Sequence, residues 1–256
     1  SGALAVIQVG NDPASSVYVN NKKKACAYIG IESISYELPE ETTEEELLDL
    51  IHKLNEDDKV NGILVQLPVP AHINDDKIIQ TISPEKDVDG FHTENVGRLV
   101  VGGKGFVSCT PAGIIQLLKR SNIEIAGKNC VVIGRSNIVG KPMALLLLRE
   151  NGTVTICHSH TVNLAEELRK ADIIIAAAGS PRMVGRDCVS PGQIILDVGI
   201  NWLEEEQKIV GDVDFDAVVD IVGAISPVPG GIGSISSAML VSHTAEAARR
   251  TVEFAY

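Results

Sequence analysis

Short, nearly continuous apolar runs recur along this 256-residue chain, separated by stretches long enough for helices. Residues 4–9, 62–67, 130–133, 173–176, 194–198 and 221–224 are of this kind. A strand with one solvated face alternates apolar and polar residues. An unbroken run fits a strand covered on both faces, as in a parallel sheet. Parallel neighbours need long crossovers, usually helices. The pattern therefore predicts α/β architecture, and the length permits one large or two modest domains of roughly 100–200 residues each.

The elements between the runs can be read in order. Gly10-Asn11-Asp12-Pro13 ends the first run as a turn. Ser15 or Ser16 can cap a helix to about Ile29, stopped by Gly30. Residues 31–38 alternate like a strand. Thr43 with Glu46 reads as a capping box before a helix over 44–55. A second unit begins near Thr110, where Thr110-Pro111 opens a helix to about Lys119. Strands at 130–133, 153–157, 173–176, 194–198 and 221–224 then alternate with helices at 142–149 and 163–170. This resembles a doubly wound dinucleotide-binding (Rossmann-type) domain. A last helix, about Ser237 to Phe254, is expected to pack back on the first unit.

Charge and composition exclude several roles. Thirty-four acidic against 22 basic residues give a net charge of −12. Nucleic-acid binding relies on clustered Lys and Arg, and base-stacking platforms on aromatic residues, which are only 4% of the chain. No nucleic-acid partner is expected. No apolar run approaches the ~20 residues that span a bilayer, so no membrane partner is expected either. Five cysteines, an odd number without a C-x-x-C pair, read as reduced thiols in a reducing compartment, hence a cytoplasmic location. Their spacing does not suggest a metal.

The strongest local signal is Val131-Val132-Ile133-Gly134-Arg135-Ser136-Asn137-Ile138-Val139-Gly140-Lys141-Pro142. A buried strand meets a turn between two glycines and then a helix with proline in its first turn. Such a turn lets backbone approach a phosphate at a helix N-terminus. It departs from G-x-G-x-x-G at Ser136, and an ordinary strand–helix turn is the alternative reading. The next strand ends Cys157-His158-Ser159-His160-Thr161, without the carboxylate that an NAD site places on its ribose. Residues 125–149 hold no Asp or Glu but carry Lys128, Arg135, Lys141 and Arg149. Arg135, with His158 and Ser159 as further candidates, could face a 2′-phosphate. NADP is favoured over NAD.

In the first unit, Tyr18, Lys22, Ala25 and Ile29 fall on one stripe at about 100° per residue. Lys22 then lies on the face expected to be buried, one turn from Tyr18. A desolvated ammonium becomes usable in proton transfer near neutrality; a lysine that snorkels to water is the competing reading. Tyr-x-x-x-Lys also occurs in short-chain dehydrogenases, but there the glycine motif precedes it. Gln66 sits at the carboxyl end of a predicted parallel strand, where open α/β sheets collect ligands. Asp87-Val88-Asp89-Gly90-Phe91 puts two carboxylates in one turn, suited to the N–H donors of a planar heterocycle or to a purely structural role.

Together these segments resemble the bifunctional methylenetetrahydrofolate dehydrogenase/methenyltetrahydrofolate cyclohydrolase family. The similarity is carried by Asp12-Pro13-Ala14-Ser15 with Tyr18 and Lys22, by Gly62-Ile63-Leu64-Val65-Gln66-Leu67-Pro68, and by Pro84-Glu85-Lys86-Asp87-Val88-Asp89-Gly90-Phe91. Gly134-Arg135-Ser136 with Gly140 and Pro227-Val228-Pro229-Gly230-Gly231 complete it. The resemblance implies a folate-binding catalytic domain (1–111 with 237–256) and an NADP-binding Rossmann domain (112–236), with the folate cleft between them. It implies oxidation of 5,10-methylenetetrahydrofolate with NADP, then hydrolysis to 10-formyltetrahydrofolate in the same cleft, and a homodimer.

By motif match Lys22 is the acid/base of the hydrolytic step, Gln66 holds and tunes it, and Tyr18 positions the pterin and its one-carbon unit. Asp89 binds pterin nitrogens with Asp87 close by, and Gly230 and Gly231 line the substrate loop. Gly134, Arg135, Ser136, Gly140, Ser159 and Ile200 contact NADP. The family also has a first helix before Leu4. It has proline at the positions of Ser108 and Ser234, and threonine at that of Ser236. Loss of the proline at 234 is expected to loosen the substrate loop. Two rivals are a shikimate-dehydrogenase-like NADP enzyme and a non-catalytic folate- or nucleotide-binding member.

Overall fold

The computed structural model describes residues 2–253. They form two compact units, one running up to Cys109 and resuming at Ser237, the other Thr110–Ser236.

The first unit contains β1 (Ala3–Val9), α1 (Pro13–Tyr28), β2 (Glu32–Leu38), α2 (Glu44–Glu56), β3 (Gly62–Val65), α3 (Asp75–Thr81) and α4 (Thr93–Val100). Its sheet is parallel, in the order β2-β1-β3. Every residue of β1 and β3 is buried, whereas β2, at the edge, is half exposed. The two-residue period of β1, buried on both faces, explains its nearly continuous apolar run. Ala5, Ile7 and Val9 face a core completed by Leu47, Ile51 and Leu54 of α2 and Ile78 of α3. Leu4 and Val6 face the opposite core, with Val19 and Cys26 of α1 and Leu240, Val241 and Ala247 of the last helix. Each buried Val, Leu or Ile among them contributes about 1.5–3 kcal/mol of hydrophobic stabilisation.

Helix α1 is capped by Asp12 rather than Ser15 or Ser16. The Asp12 carboxylate accepts from Ser15 N at 2.8 Å, and Pro13 occupies the first turn. A carboxylate suits the positive end of the helix dipole, and proline there gives up an N–H that no helix bond would use. The Thr43–Glu46 capping box forms as expected, with Glu46 N to Thr43 Oγ1 at 3.1 Å and Thr43 N to Glu46 Oε2 at 2.9 Å.

The second unit contains α5 (Cys109–Arg120, which begins one residue earlier), β4 (Asn129–Ile133), α6 (Gly140–Arg149), β5 (Thr153–Cys157), α7 (Leu164–Arg169) and β6 (Ile173–Ala176). Then follow β7 (Ile194–Asp197), β8 (Asn201–Leu203), β9 (Lys208–Val210), α8 (Phe215–Val218) and β10 (Ala224–Ile225). The five-stranded sheet has the order β10-β7-β6-β4-β5 and is parallel throughout. From β4 the chain goes first to β5 on one side and then to β6 on the other, so β4 marks the topological switch point of a doubly wound sheet. β8 and β9 form a separate antiparallel hairpin.

The strand expected at 221–224 is shorter and later. Ile221 N and Val222 N both bond back to Val218 O, prolonging the turn after α8, and the sheet is rejoined only at Gly223 N to Gln193 O. The last helix, α9 (Ile232–Glu253), begins five residues before the expected Ser237. Phe254, its expected end, lies outside the described residues.

Candidate active site and dinucleotide site

In the first unit the buried residues of α1 are Ser15, Val19 and Cys26. At about 100° per residue Lys22 falls about 20° beyond the edge of this set, and it is half-buried. The stripe read from sequence was off by roughly 70°, because Tyr18 and Ile29 are 41% and 49% exposed. The helix has few apolar residues to centre a wheel, and a buried serine takes one of the inward places. Lys22 faces inward all the same, while Tyr18 stands on the solvent flank.

Lys22 Nζ donates to Gln66 Oε1 at 2.8 Å. The orientation of that amide is fixed, because Gln66 Nε2 donates to Leu67 O at 3.0 Å and so turns its oxygen toward the lysine. Gln66 is the first residue beyond β3, and its N–H bonds to Ile7 O of β1 at 2.8 Å. The sheet thus carries the amide that holds the lysine.

The two carboxylates of the 87–90 turn differ. Asp87 is 2% exposed, and its Oδ2 accepts from His92 N at 2.8 Å and Asn95 Nδ2 at 2.9 Å. Asp89 is partly exposed, and among the described residues no hydrogen bond reaches its carboxyl group. Burial pushes that carboxyl up to about 6; the nearby Lys22 charge pulls it down and Asp87 pushes it up. The peptide between them is pinned from behind. Val88 O accepts from His243 Nδ1 at 2.9 Å and from the Cys109 thiol at 3.5 Å. Burial lowers the His243 pKa, while the bond to Val88 O acts in the opposite direction. Asn95, Cys109 and His243 were not singled out from sequence. Only a buried-looking polar residue soon after the D-x-D-G turn could have flagged Asn95.

In the second unit the β4–α6 turn lies at the switch point. Gly134 has φ +117°, and a Cβ there would collide with the backbone of Ala177; at Gly140 a Cβ would collide with Gly134 itself. The two glycines close the turn on itself and against the strand beside it. Arg135 and Ser136 are exposed at its tip. Ser136 Oγ accepts from Val139 N at 3.1 Å and Gly140 N at 3.3 Å, which leaves its hydroxyl hydrogen free to donate to an anion. Ser159 is exposed just after β5, the neighbour of β4. A positive, carboxylate-free turn at the carboxyl end of β4 fits a dinucleotide bearing a 2′-phosphate.

Ile200, Gly230 and Gly231 line one concave pocket with Asp197, Gly199 and Thr110. Thr110 Oγ1 and Ser236 Oγ are 2.6 Å apart, so serine at 236 keeps a hydroxyl for this bond. Ser234 lies in the first turn of α9, and its hydroxyl donates to Gly231 O at 3.2 Å. The loop therefore has a local tie where the proline is missing. All five cysteines are free. Among the described residues there is no metal-binding cluster of His, Cys, Asp or Glu, and no helix is long and apolar enough to cross a membrane.

Fold and turn together define an α/β chain with an NAD(P)-binding domain. Comparison with known proteins narrows this. Residues 1–89 match the tetrahydrofolate dehydrogenase/cyclohydrolase catalytic domain, and residues 108–252 match the NAD(P)-binding domain of the same family. The chain is 62% identical over 249 residues to the bifunctional protein FolD of Agathobacter rectalis, covering 97% of this chain and 89% of that protein. Its fold is similar to the crystal structure of the bifunctional FolD methylenetetrahydrofolate dehydrogenase/cyclohydrolase from Campylobacter jejuni (TM-score 0.95, 51% identity, 97% of this chain and 88% of that one). It is also similar to the Trypanosoma brucei dehydrogenase-cyclohydrolase complexed with NADP and an inhibitor (TM-score 0.93, 38% identity, 98% and 88%). The chain belongs to the tetrahydrofolate dehydrogenase/cyclohydrolase family, which sets aside the shikimate-dehydrogenase-like reading.

Proposed function

We propose that this protein oxidises 5,10-methylenetetrahydrofolate to the 5,10-methenyl form with NADP and then hydrolyses that product to 10-formyltetrahydrofolate. The observation that carries the reading is the Lys22–Gln66 hydrogen bond beside Asp89, in a chain of this family.

NADP, which the β4–α6 turn would hold, would supply the hydride acceptor for the methylene carbon. The chain's own residues orient the folate and handle protons. Lys22 serves the hydrolytic step. Water adds to the methenyl carbon and gives up both protons. The carbonyl forms as one carbon–nitrogen bond breaks, the released nitrogen takes one proton and the other leaves to solvent, and Lys22 Nζ is the group that moves protons between these atoms. Gln66 keeps Nζ in place. Asp89, whose carboxyl group no hydrogen bond reaches among the described residues, takes pterin N–H donors, and Asp87 supports it by fixing the turn. Tyr18, on the open flank of α1, lies against the pterin and its one-carbon unit. Gly230, Gly231 and the Thr110–Ser236 pair shape the substrate loop. Arg135, Ser136 and Ser159 hold the 2′-phosphate side of NADP, Gly134 and Gly140 let its backbone contacts form, and Ile200 packs against it.

The domain division at 1–111 with 237–256 and 112–236, a cytoplasmic location and a homodimer belong to the same reading. The dimer is supported by β5, an edge strand with Ile156 at 42% exposure, flanked by Leu148 at 59% and Val162 at 80%. Exposed apolar edge strands are normally covered, and sedimentation reads the mass directly. The enzymatic test supplies methylenetetrahydrofolate and NADP and follows reduced cofactor and methenyl absorbance together. Cofactor reduction with a methenyl signal that rises and then decays is expected; silence in both channels would sink the proposal and favour a binding-only member.

A further inference from the structure

Two carboxylates of the second unit have no part in the scheme above. Asp197 is 3% exposed and Asp212 is fully buried. Buried carboxylates are normally paired with a cation, yet among the described residues neither makes an ion pair. Backbone donors surround them instead. Asp212 Oδ2 accepts from Ala178 N at 2.7 Å and Gly179 N at 3.0 Å; Oδ1 accepts from Ser180 N at 3.0 Å and Asn201 Nδ2 at 2.9 Å. Asp197 Oδ1 accepts from Gly199 N and Asp212 N, and Oδ2 from Val213 N, each at 3.0 Å. The two sites interlock. A Cβ on Gly199 would strike the Asp212 carboxylate, and a Cβ on Gly211 would strike that of Asp197.

The places so joined are specific. Residues 177–180 follow β6 and residues 198–201 follow β7, neighbouring strands of the doubly wound sheet. Both loops leave carboxyl ends, the side on which such sheets bind ligands. Ala177 N bonds to Ile133 O at 2.8 Å, and Ala177 is the residue against which Gly134 packs. The second loop contributes Gly199 and Ile200 to the pocket that also holds Gly230 and Gly231. Three successive amides at 178–180 make an anion-binding nest, and it is filled by the protein's own carboxylate.

We infer that Asp212 is a positioning residue for the dinucleotide: it fixes the loops after β6 and β7, and so governs NADP binding and the hydride step while leaving the hydrolytic step alone. This rests on the function proposed above.

Asp212→Asn keeps the shape and removes the chemistry. Whichever way the amide turns, its NH2 faces two of the four donors. The dissociation constant for NADP, measured by calorimetry on the full chain, is expected to rise at least about tenfold, as for lost hydrogen bonds to a charged group. Hydrogen exchange at residues 178–180 quickens, while hydrolysis of supplied methenyltetrahydrofolate stays within about twofold of the wild type, as expected for a step that does not use the lost bonds. Unchanged NADP binding overturns the inference, and so does an equal fall of both activities. Should the variant fail to fold, Asn201→Ala removes one donor and is expected to weaken NADP in the same direction with hydrolysis retained; no change in NADP binding there counts against it. NADP binding by wild type without folate turnover, lost in Asp212→Asn, supports the positioning role and refutes only the folate assignment.

Discussion

The molecule holds two pairs of neighbouring carboxylates that it treats in opposite ways. In the second unit Asp197 and Asp212 are both buried, and both are ringed by N–H donors. In the first unit only Asp87 is so treated, and Asp89, two residues on, is left without a hydrogen bond among the described residues. Burial lifts the Asp89 carboxyl to about 6; burial raises that of Asp197 as well, but there three backbone N–H donors pull the other way. A carboxylate saturated by backbone amides is a structural fastener. One held in place by its neighbours yet left unsaturated is a binding group waiting for donors.

The predictions press on that contrast. The largest effect belongs to the lysine that faces Asp89. Lys22→Met should reduce hydrolysis by about 10²–10⁴-fold, the usual worth of general acid–base catalysis, with folate binding retained in equilibrium titration; surviving hydrolysis would remove Lys22 from its role.

Asp89→Asn should raise the KM for methylenetetrahydrofolate by roughly 10–100-fold, the cost of a charge-assisted hydrogen bond. The same change should raise Tm at pH 7. The folded state holds the Asp89 proton more tightly than the unfolded chain does. Stability from that proton is present below the ordinary carboxylate range and lost as pH rises through about 6. The gain on substitution is on the order of 1 kcal/mol at neutrality after solvent screening, and it should vanish near pH 4 in thermal melts. A lowered Tm at pH 7 would mean that Asp89 is as structural as Asp87.

Arg135→Ala should weaken NADP about tenfold and NAD little, as read by inhibition constants. Equal weakening would make the arginine part of the turn rather than a phosphate contact. Asp87→Asn should give the smallest change, about 1 kcal/mol of stability from imperfectly met donors, with hydrolysis by the folded fraction nearly intact. A large fall in substrate affinity at full stability would put Asp87 in direct contact with folate.

Much of this was legible in the sequence. Unbroken apolar runs gave the parallel strands because burial on both faces erases alternation. The Thr43–Glu46 box was readable because its partners are local. Lys22 and Gln66 could be named singly, but the bond between them spans 44 residues, and only the sheet brings them together. The stripe on α1 was mis-centred because that helix is poor in apolar residues and buries Ser15. The strand near 221 was misplaced because Ile221 and Val222 serve the core from a turn, which apolar pattern alone does not distinguish from a strand. Asp197 did leave a signal, as a charge inside the apolar run 194–198. What it binds lies 15 and 16 residues away in Asp212 and Val213, which no local pattern reports.

The account turns on Asp89 being the carboxylate kept for the ligand, and the most direct measurement is the KM for methylenetetrahydrofolate across pH 5 to 8, in wild type and Asp89→Asn, at about ambient temperature. The wild-type KM is predicted to rise as pH falls through about 6, where the carboxylate takes a proton and ceases to accept pterin donors, while the variant stays flat at the higher value. A wild-type profile without that rise, or a variant that keeps it, would contradict the assignment.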